Sequence, residues 1–374
     1  MTSIINLISA QRNHFIDTVK RMQANGDPIV LCGAGYAAQV TWEFMQRQQM
    51  HVDLVAVSGE FLQTGSEFNG FPLVSFESLT VTGKRYNYII AMQFIDDVLS
   101  AHLQQNAHEI LYYDCAFVGV NTKDYFTWSW CEEHQQALTM LYDQLADARS
   151  KATLLAYLNQ KISAHEGEYG ALYHPEHYFP QEIFALEEDE VFVDCGAFDG
   201  DSINAFTHAL VRDGRNTAKK IYAFEPDAET FAQLQKNMAG LPQCISFQAG
   251  VWNEETTLYF KASNSFSSSL SDTPADSKID LMKIDDVLNG GKASFIKMDI
   301  EGAELAALEG AQKTIQRWQP VLAISLYHKR EDLVTIPQFI RHLQSDYALF
   351  LRCHHPRLAY EMVLYAVPSA RIKR

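Results

Sequence analysis

The sequence lacks the features of a membrane or secreted protein. No apolar run approaches the roughly 20 residues needed to cross a bilayer, and the N-terminus carries no basic leader followed by a long apolar core. The six cysteines are scattered and form no Cys-x-x-Cys pair, so neither a zinc site nor a disulfide framework is expected. We therefore expect a cytoplasmic protein with reduced thiols.

Positive charge is also scarce. The 46 Asp and Glu residues outnumber the 30 Lys and Arg residues, which gives a net charge of −16. This balance disfavours a protein whose main role is to bind nucleic acid. A length of 374 residues, of which 47% are hydrophobic, predicts two globular domains.

The most informative stretch lies at residues 191–202. An apolar strand breaks at an acid and then at Gly196, and an amphipathic helix follows. Strand, glycine turn and helix open a nucleotide-binding α/β unit, because glycine lets the backbone approach a ligand and the helix N-terminus points amide hydrogens at it. The stretch also carries three carboxylates, Asp194, Asp199 and Asp201. Carboxylates repel a pyrophosphate and attract a cation, so we expect S-adenosylmethionine, which has a sulfonium, an ammonium and a ribose.

The first third of the chain is predicted to be a separate α/β domain. Residues 3–25 have the apolar spacing of a helix, and residues 29–44 form a strand, a Gly-x-Gly-x-x-Ala turn and a helix. Further strands are predicted at residues 51–57, 88–92 and 109–113. Strands that alternate with helices indicate a parallel sheet, so this domain is expected to be Rossmann-like.

The glycine turn of this domain is a candidate nucleotide or nucleotide-sugar site, formed by Gly33, Gly35 and Ala38. A turn without a ligand is an alternative that the sequence leaves open. Ser58 stands where a ribose-binding acid is expected, which argues against NAD. The domain resembles the N-terminal domain of bacterial sugar acetyltransferases in its strand–Gly-x-Gly–helix and in residues 69–74, and the resemblance implies a nucleotide-linked sugar.

A polar helical connector is predicted to join the two domains. Its aromatic residues Trp128, Trp130 and Tyr142 have acidic neighbours, so packing is expected for them and base stacking is not. His174 and His177 lie in a turn-rich lead-in and are interpreted as polar loop residues, not metal ligands. The predicted units are an N-terminal helix at 1–25, the Rossmann-like domain at 26–120, the connector at 121–181 and a second domain at 182–374.

Three residues of the second domain are expected beside Asp194. Glu225 and Asp299 each end a predicted strand, and His328 follows another. Ligands of open α/β sheets bind at the carboxyl ends of the strands, so these side chains should share one crevice. Trp252 follows a further strand, and both stacking on an adenine and simple burial stay open for it.

Two nearby segments have weaker patterns. Residues 256–260 alternate like an edge strand. Residues 263–269 form a serine-rich loop, for which a substrate-facing role and a plain surface role both stay open.

The end of the chain predicts an antiparallel pair. The strands at 347–352 and 361–367 are joined without room for a helix, whereas a parallel connection needs a crossover of about a dozen residues or more. A parallel sheet closed by one antiparallel hairpin is the layout of class I S-adenosylmethionine-dependent methyltransferases. We therefore expect an α/β protein with two Rossmann-like domains, the second of this class.

The second domain resembles the FkbM family of methyltransferases over residues 186–367. Four motifs in order carry the resemblance, at residues 192–200, 223–226, 296–304 and 325–328. It implies methyl transfer from S-adenosylmethionine to a hydroxyl oxygen of a sugar or sugar-bearing metabolite. It also implies that Asp299 is a catalytic or metal-binding acid, and Ala197 stands where methyltransferases at large have a second glycine. The residues predicted to bind the cofactor are Asp194, Gly196, Ala197, Asp199, Gly200, Ser202, Glu225, Pro226, Trp252 and Asp299.

The predicted chemistry is an in-line displacement in which the acceptor oxygen loses a proton. Asp299 or His328 is expected to take that proton, with Glu301 orienting. In the alternative, Asp299 and Glu301 bind Mg²⁺. For Glu304, stabilisation of a helix N-terminus is the favoured interpretation.

Two rival functions stay open from the sequence. One is an NAD-dependent sugar-modifying enzyme that uses Gly33 and Gly35, and the other is an inactive sugar-binding protein. The expected partner is a small molecule, a sugar or nucleotide-sugar, with no nucleic acid. The first domain either presents this ligand or forms a homo-oligomer surface.

Overall fold

The computed structural model describes residues 3–92, 95–118, 125–167, 169–261, 269–271 and 277–373. A six-stranded sheet with the order β3-β4-β2-β1-β5-β6 forms the first part of the chain. All its neighbouring strands are parallel except β3 and β4. Its strands are β1 Ile29–Cys32, β2 Leu54–Val57, β3 Glu67–Phe68, β4 Phe71–Ser75, β5 Tyr86–Ile90 and β6 Ala107–Leu111. The accompanying helices are α1 His14–Asn25, α2 Tyr36–Arg47, α3 Phe76–Thr80 and α4 Asp97–Gln104.

The N-terminal helix is shorter than the predicted 3–25. Helix α1 begins at His14, where the Asn13 side chain accepts a hydrogen bond from the Ile16 amide. The amides of Ser9 and Ala10 instead donate to the Asn159 side chain, at 2.9 and 3.0 Å. A distant side chain thus satisfies backbone donors that a continuous helix would have used.

Three helices connect the two sheets, and they are α5 Trp128–Glu133, α6 Gln135–Gln144 and α7 Ala148–Ser163. Trp130 is buried and Tyr142 packs against the hydrophobic core. The aromatic residues of this segment therefore have the packing role that the sequence predicts.

A seven-stranded sheet with the order β16-β17-β15-β14-β7-β8-β9 forms the second part. Its five strands from β15 to β9 run parallel, and β17 pairs antiparallel with both β15 and β16. The strands of this sheet are β7 Val191–Cys195, β8 Lys220–Phe224, β9 Cys244–Phe247, β14 Phe295–Met298, β15 Val321–Ser325, β16 Tyr347–Cys353 and β17 Met362–Pro368. Between β9 and β14 the chain forms β10 Gly250–Val251, β11 Thr256–Lys261, β12 Ser269–Ser271 and β13 Ser277–Met282. The helices are α8 Asp201–Arg212, α9 Ala228–Met238, α10 Ile284–Leu288, α11 Glu304–Gly310, α12 Gln312–Trp318 and α13 Asp332–Leu343.

Strands β10 to β13 form a separate four-stranded sheet with the order β10-β13-β11-β12. Strand β11 lies between β12 and β13, so the prediction of an edge strand there is wrong. Alternation of side chains reports two different faces and does not report whether the strand has neighbours on both sides. Residues 263–268 of the serine-rich segment lie outside the described residues.

The connector covers the outer edge of the seven-stranded sheet. The Ala146 amide donates to the Leu349 carbonyl at 2.8 Å, and the Leu351 amide donates to the Ser150 hydroxyl at 2.9 Å. The buried Arg352 guanidinium pairs with Asp147 at 2.7 Å. These contacts give hydrogen-bond partners to backbone groups of the edge strand β16 that would otherwise be unpaired.

One hydrophobic cluster runs through both parts of the molecule. It includes Phe15 and Leu31 from the first part, Tyr157 from the connector, and Ile296 and Leu349 from the second. In the part of the chain that the structure describes, no helix combines the length and apolar character needed to cross a membrane.

Candidate active site

The carboxyl ends of the parallel strands of the second sheet bring four predicted residues to one edge. Asp194 is next to last in β7, while Glu225 directly follows β8 and Asp299 directly follows β14. His328 lies three residues beyond the end of β15. Strand β17 runs the opposite way, so its first residues reach this same edge, and Glu361 precedes it there.

Asp194 is fully buried and has two polar partners. Its carboxylate lies 3.1 Å from the Lys297 ammonium on the neighbouring strand and accepts a hydrogen bond from the Ser202 hydroxyl. Lys297 also donates to the carbonyl of Gly196. Burial raises the pKa of Asp194 although Lys297 and Ser202 act against it. Asp194 therefore holds the start of the glycine turn through Lys297, and a direct contact with a cofactor stays a prediction.

Gly196 brings the glycine turn against the end of β14. Gly196 has a φ of +79°, a backbone conformation that glycine adopts more readily than other residues. A Cβ atom at this position would lie 2.0 Å from the carbonyl oxygen of Asp299. The amides of Gly196 and Ala197 both donate to the Phe224 carbonyl, at 3.0 and 2.9 Å. The backbone of the turn is thus fixed before any ligand arrives.

Glu225 holds the far side of the same turn. Its carboxylate accepts hydrogen bonds from the amides of Phe198 at 3.0 Å and Asp227 at 2.9 Å. Burial raises the pKa of Glu225 to about 7 even though both amides favour the ionised form. Each oxygen keeps a further lone pair for a ligand hydroxyl.

The other residues predicted to bind the cofactor differ in their exposure. Phe198 is 51% exposed beside the turn, a position that the sequence prediction did not include. Trp252 is half-buried, and its backbone amide donates to the Met282 carbonyl at 2.9 Å, which leaves both interpretations of its ring open. The buried members are Ala197, Gly200 and Ser202, and the half-buried members are Asp199 and Pro226.

Asp299 is surrounded by donors. Its carboxylate accepts a hydrogen bond from the Tyr178 hydroxyl at 2.6 Å and from the Tyr327 hydroxyl at 3.3 Å, and the His328 Nε2 atom lies 3.4 Å away. Burial alone would raise the pKa of Asp299, but His328 and Lys297 outweigh it and lower that pKa. Asp299 is therefore a carboxylate at neutral pH.

His328 is a buried cation. Its Nδ1 atom lies 2.9 Å from Glu304, and its Nε2 atom also faces Glu301 at 3.6 Å. Burial lowers the pKa of His328, but Glu304, Asp299 and Glu301 overcome this and raise it to about 10. An imidazolium has no free lone pair, so the structure argues against His328 as the acceptor of the substrate proton.

Glu304 has two roles at the start of α11. The same carboxylate oxygen accepts the Ile300 amide at 2.9 Å and faces His328. The first contact holds the turn that precedes α11, and stabilisation of the helix N-terminus by Glu304 stays a prediction. The second contact makes Glu304 a positioning residue for His328, which the sequence interpretation did not include.

The donor set does not fit Mg²⁺. Asp299, Glu304 and His328 each place one candidate ligand atom within 4.8 Å of the others, and one of these three atoms is an imidazole nitrogen. Magnesium takes oxygen ligands in octahedral geometry, whereas the carboxylates here surround His328. Glu301, which the sequence prediction paired with Asp299 as a metal ligand, faces His328 as well.

Four residues at this edge were missed by the sequence analysis as members of the site. Tyr178 and Tyr327 donate to Asp299, and Glu361 lies 3.5 Å from both the Tyr327 hydroxyl and the His177 Nε2 atom. The direction of the last strand was the available signal for Glu361. Tyr327 lies beside His328 just beyond the end of β15, so the same strand-end argument could have found it. Tyr178 and His177 had no such signal, because only the tertiary fold brings residues 177–178 to this sheet.

Packing accounts for part of the glycine turn of the first domain. A Cβ on Gly33 would lie 2.8 Å from the Ala91 carbonyl oxygen, so packing alone requires glycine there. Gly35 precedes α2 and has open space around it. Ala38 is fully buried and its side chain packs in the core, and its part in a nucleotide-sugar site stays a prediction.

Comparison with known proteins finds a family match within the second part of the chain. Residues 194–347 match the family model of the methyltransferase FkbM domain. Hexuronic acid methyltransferase AglP of Haloferax volcanii is 27% identical over 136 residues, which are 35% of this chain; the match spans about half of that relative, 53% of its length. The crystal structure of methyltransferase FkbM from Methylobacillus flagellatus KT has a TM-score of 0.71 with 22% identity and covers 96% of this chain and 94% of its own. At that identity the likeness shows the fold, and it extends across both parts of the molecule.

Proposed function

We propose that this chain, in which residues 194–347 form a methyltransferase FkbM domain, transfers a methyl group from S-adenosylmethionine to a hydroxyl oxygen of a sugar or sugar-bearing metabolite. The observation that carries the proposal is the contact between Gly196 and the backbone of Asp299. A donor bound over the glycine turn would place its sulfonium close to the carboxylate of Asp299. That arrangement suits displacement at a cationic methyl group.

The donor is held by the residues around the turn in this proposal. Glu225 accepts the ribose hydroxyls with its free lone pairs, since its two amide contacts already fix its orientation. The exposed ring of Phe198 offers an apolar surface at the same turn. Asp194 and Lys297 lie beneath the glycine turn and hold the backbone that the donor would contact.

Asp299 accepts the proton of the acceptor hydroxyl. The oxygen attacks the methyl carbon, the carbon–sulfur bond breaks towards sulfur, and the proton moves to the Asp299 carboxylate. The lowered pKa of Asp299 keeps its carboxylate ionised and able to accept a proton. A weak base is sufficient, because the hydroxyl group becomes far more acidic as its oxygen is methylated. His328 faces this carboxylate and is itself held in place by Glu304.

The sugar as acceptor is supported by two resemblances. AglP carries a hexuronic acid in its name, and the first domain resembles the nucleotide-sugar domain of acetyltransferases. We propose that the turn at Gly33 and Gly35 holds the nucleotide end of such an acceptor. A nucleotide-sugar would then be the small-molecule partner.

The test begins with calorimetry of S-adenosylhomocysteine on the purified chain, followed by transfer of labelled methyl from S-adenosylmethionine to a panel of nucleotide-sugars. Asp299→Asn should lower turnover by about 100-fold or more while the Kd for S-adenosylhomocysteine changes little. The exposed Glu133→Gln is the matched control, and EDTA should leave turnover unchanged. Absence of S-adenosylhomocysteine binding, or normal turnover by Asp299→Asn, contradicts the proposal.

A further inference from the structure

The hairpin loop at residues 354–361 joins β16 to β17 and borders the candidate active site. Its last residue, Glu361, lies 3.5 Å from the Tyr327 hydroxyl. The ring of Tyr360 packs edge to face on the ring of Tyr327, with the centroids 6.0 Å apart. Tyr327 in turn donates to Asp299 at 3.3 Å. The loop therefore sets the surroundings of one of the two hydroxyls that hold the Asp299 carboxylate.

Two side chains from the first half of the chain bond to the backbone of the hairpin loop. Asp114, which follows β6 of the first sheet, accepts the Ala359 amide at 2.7 Å. Gln160 of α7 donates to the Arg357 carbonyl at 2.7 Å and to the Asp114 carboxylate, also at 2.7 Å. Asp114 and Gln160 are both buried, so water does not readily replace these bonds. The first sheet and α7 thus fix the middle of the loop.

Tyr169 holds the end of the loop next to Glu361. Its hydroxyl donates to the Tyr360 carbonyl at 2.9 Å, and its side chain is fully buried. Gly170, the next residue, packs so closely against the loop that a Cβ there would lie 2.2 Å from the Pro356 carbonyl oxygen. The segment that follows α7 therefore contacts the loop near both of its ends.

The backbone of Glu361 requires such support. Its φ is +53°, in the left-handed region that residues other than glycine rarely adopt. A conformation of this kind persists only where the surrounding contacts impose it. Within the hairpin, the His354 amide donates to the Glu361 carbonyl at 3.0 Å. The bonds from Asp114, Gln160 and Tyr169 are added to this one.

We propose that Asp114, Gln160 and Tyr169 are positioning residues for methyl transfer. They hold the hairpin loop so that Tyr327 aligns the Asp299 carboxylate with the acceptor hydroxyl. The donor side of the site is fixed separately, by contacts within the second sheet. The three positioning residues should therefore affect the acceptor and the chemical step and leave donor binding unchanged. The inference rests on the proposed function and gives the first half of the chain a part in the reaction.

Tyr169→Phe tests the inference, since it removes one hydroxyl and leaves the buried ring in place. Tyr157→Phe is the matched control. Tyr157 is equally buried, its ring centroid lies 5.6 Å from that of Tyr169, and its hydroxyl has no hydrogen-bond partner among the described residues. Asp114→Asn is the second variant, because it turns an NH₂ group towards donors that the carboxylate accepts.

Methyl transfer from labelled S-adenosylmethionine to UDP-glucose and to UDP-glucuronate is the functional readout. Tyr169→Phe should lower kcat/KM for the acceptor by about fivefold or more, as expected for the loss of one buried hydrogen bond. Asp114→Asn should lower it further. The KM for S-adenosylmethionine and the Kd for S-adenosylhomocysteine should stay close to the wild-type values. A merely structural role would instead weaken donor and acceptor together and lower the melting temperature.

Hydrogen–deuterium exchange gives a readout that needs no acceptor. In the full chain saturated with S-adenosylhomocysteine, Tyr169→Phe and Asp114→Asn should speed the exchange of amides at residues 355–361 and 326–328. The amides of the glycine turn at residues 194–200 should keep their wild-type rates. Tyr157→Phe should match the wild type in both exchange and kinetics.

The pattern of these results decides the inference. Wild-type kinetics and wild-type exchange in Tyr169→Phe overturn it, and so does a loss of S-adenosylhomocysteine affinity as large as the loss of acceptor turnover. Either result leaves the methyltransferase proposal standing. If the wild-type chain binds S-adenosylhomocysteine but methylates neither sugar, the exchange result alone decides. Failure to bind S-adenosylhomocysteine overturns the proposed function, and the inference falls with it.

Discussion

At the scale of single residues, the site depends on ionised groups that are buried in pairs. Lys297 lies inside an otherwise apolar strand, and its register places it directly beside Asp194 on the next strand. The sequence identified Asp194, Glu225 and Asp299 at the strand ends because that argument needs only strand positions. It could not identify the charge of His328, since that charge depends on Glu304 and Glu301 after folding.

Lys297→Met should destabilise the protein by about 3–5 kcal/mol, because it leaves the Asp194 carboxylate buried without its cation. Urea denaturation followed by circular dichroism measures this change. The double variant with Asp194→Asn should recover much of the loss, since neither charge is then buried alone. A loss in the single variant of less than about 1 kcal/mol contradicts the assigned pair.

Binding of S-adenosylhomocysteine should tighten as the pH rises through about 7. Glu225 has its pKa raised by burial to about 7, so it is mainly protonated below that pH and becomes a full acceptor for ribose hydroxyls above it. Calorimetry at pH 6 and pH 8 should give Kd values that differ by about tenfold, as the ionised fraction does. Glu225→Gln should bind weakly at both pH values, and an unchanged pH dependence in that variant refutes the role.

At the scale of elements, strand direction explains what was found and what was missed. Parallel strands β7, β8 and β14 end at one edge of the sheet, so Asp194, Glu225 and Asp299 lie at the same edge, as their strand positions predict. Strand β17 is antiparallel and begins there, which places Glu361 in the site. The early part of the predicted N-terminal helix failed for another reason, since Asn159 lies far away in sequence and binds the amides of Ser9 and Ala10.

Gly196→Ala should weaken both folding and donor binding. The new methyl group would lie 2.0 Å from the Asp299 carbonyl oxygen in a left-handed backbone conformation, which costs about 2 kcal/mol or more. Thermal denaturation and S-adenosylhomocysteine calorimetry both report the change. Gly240→Ala has open space around it and serves as control, and equal behaviour of the two variants contradicts the steric argument.

At the scale of the whole molecule, the two sheets are not independent units. One hydrophobic cluster contains residues of both sheets and of the connector, and α7 supplies Ser150 to the edge strand β16. The sequence predicted two α/β parts from alternating strands and helices. It gave no sign of their shared core, because periodicity shows which face is apolar and not what covers it.

The full chain should therefore unfold in one cooperative heat-absorption peak. S-adenosylhomocysteine at 100 times its Kd should move the entire peak upward, in line with about 2.7 kcal/mol of added stability. Differential scanning calorimetry with and without this ligand makes the comparison. Two peaks, of which the ligand moves only one, would show that the sheets unfold separately.

The contact between Gly196 and Asp299 has a consequence for anyone who wishes to redesign this protein. The backbone at the end of β14 touches the glycine turn directly, so in the proposed site a change made at that strand end to admit a bulkier substrate would disturb the cofactor-binding turn as well. Changes at Glu361, which precedes the antiparallel strand β17, do not affect that backbone contact. New specificities are therefore more readily engineered there than at the centre of the sheet.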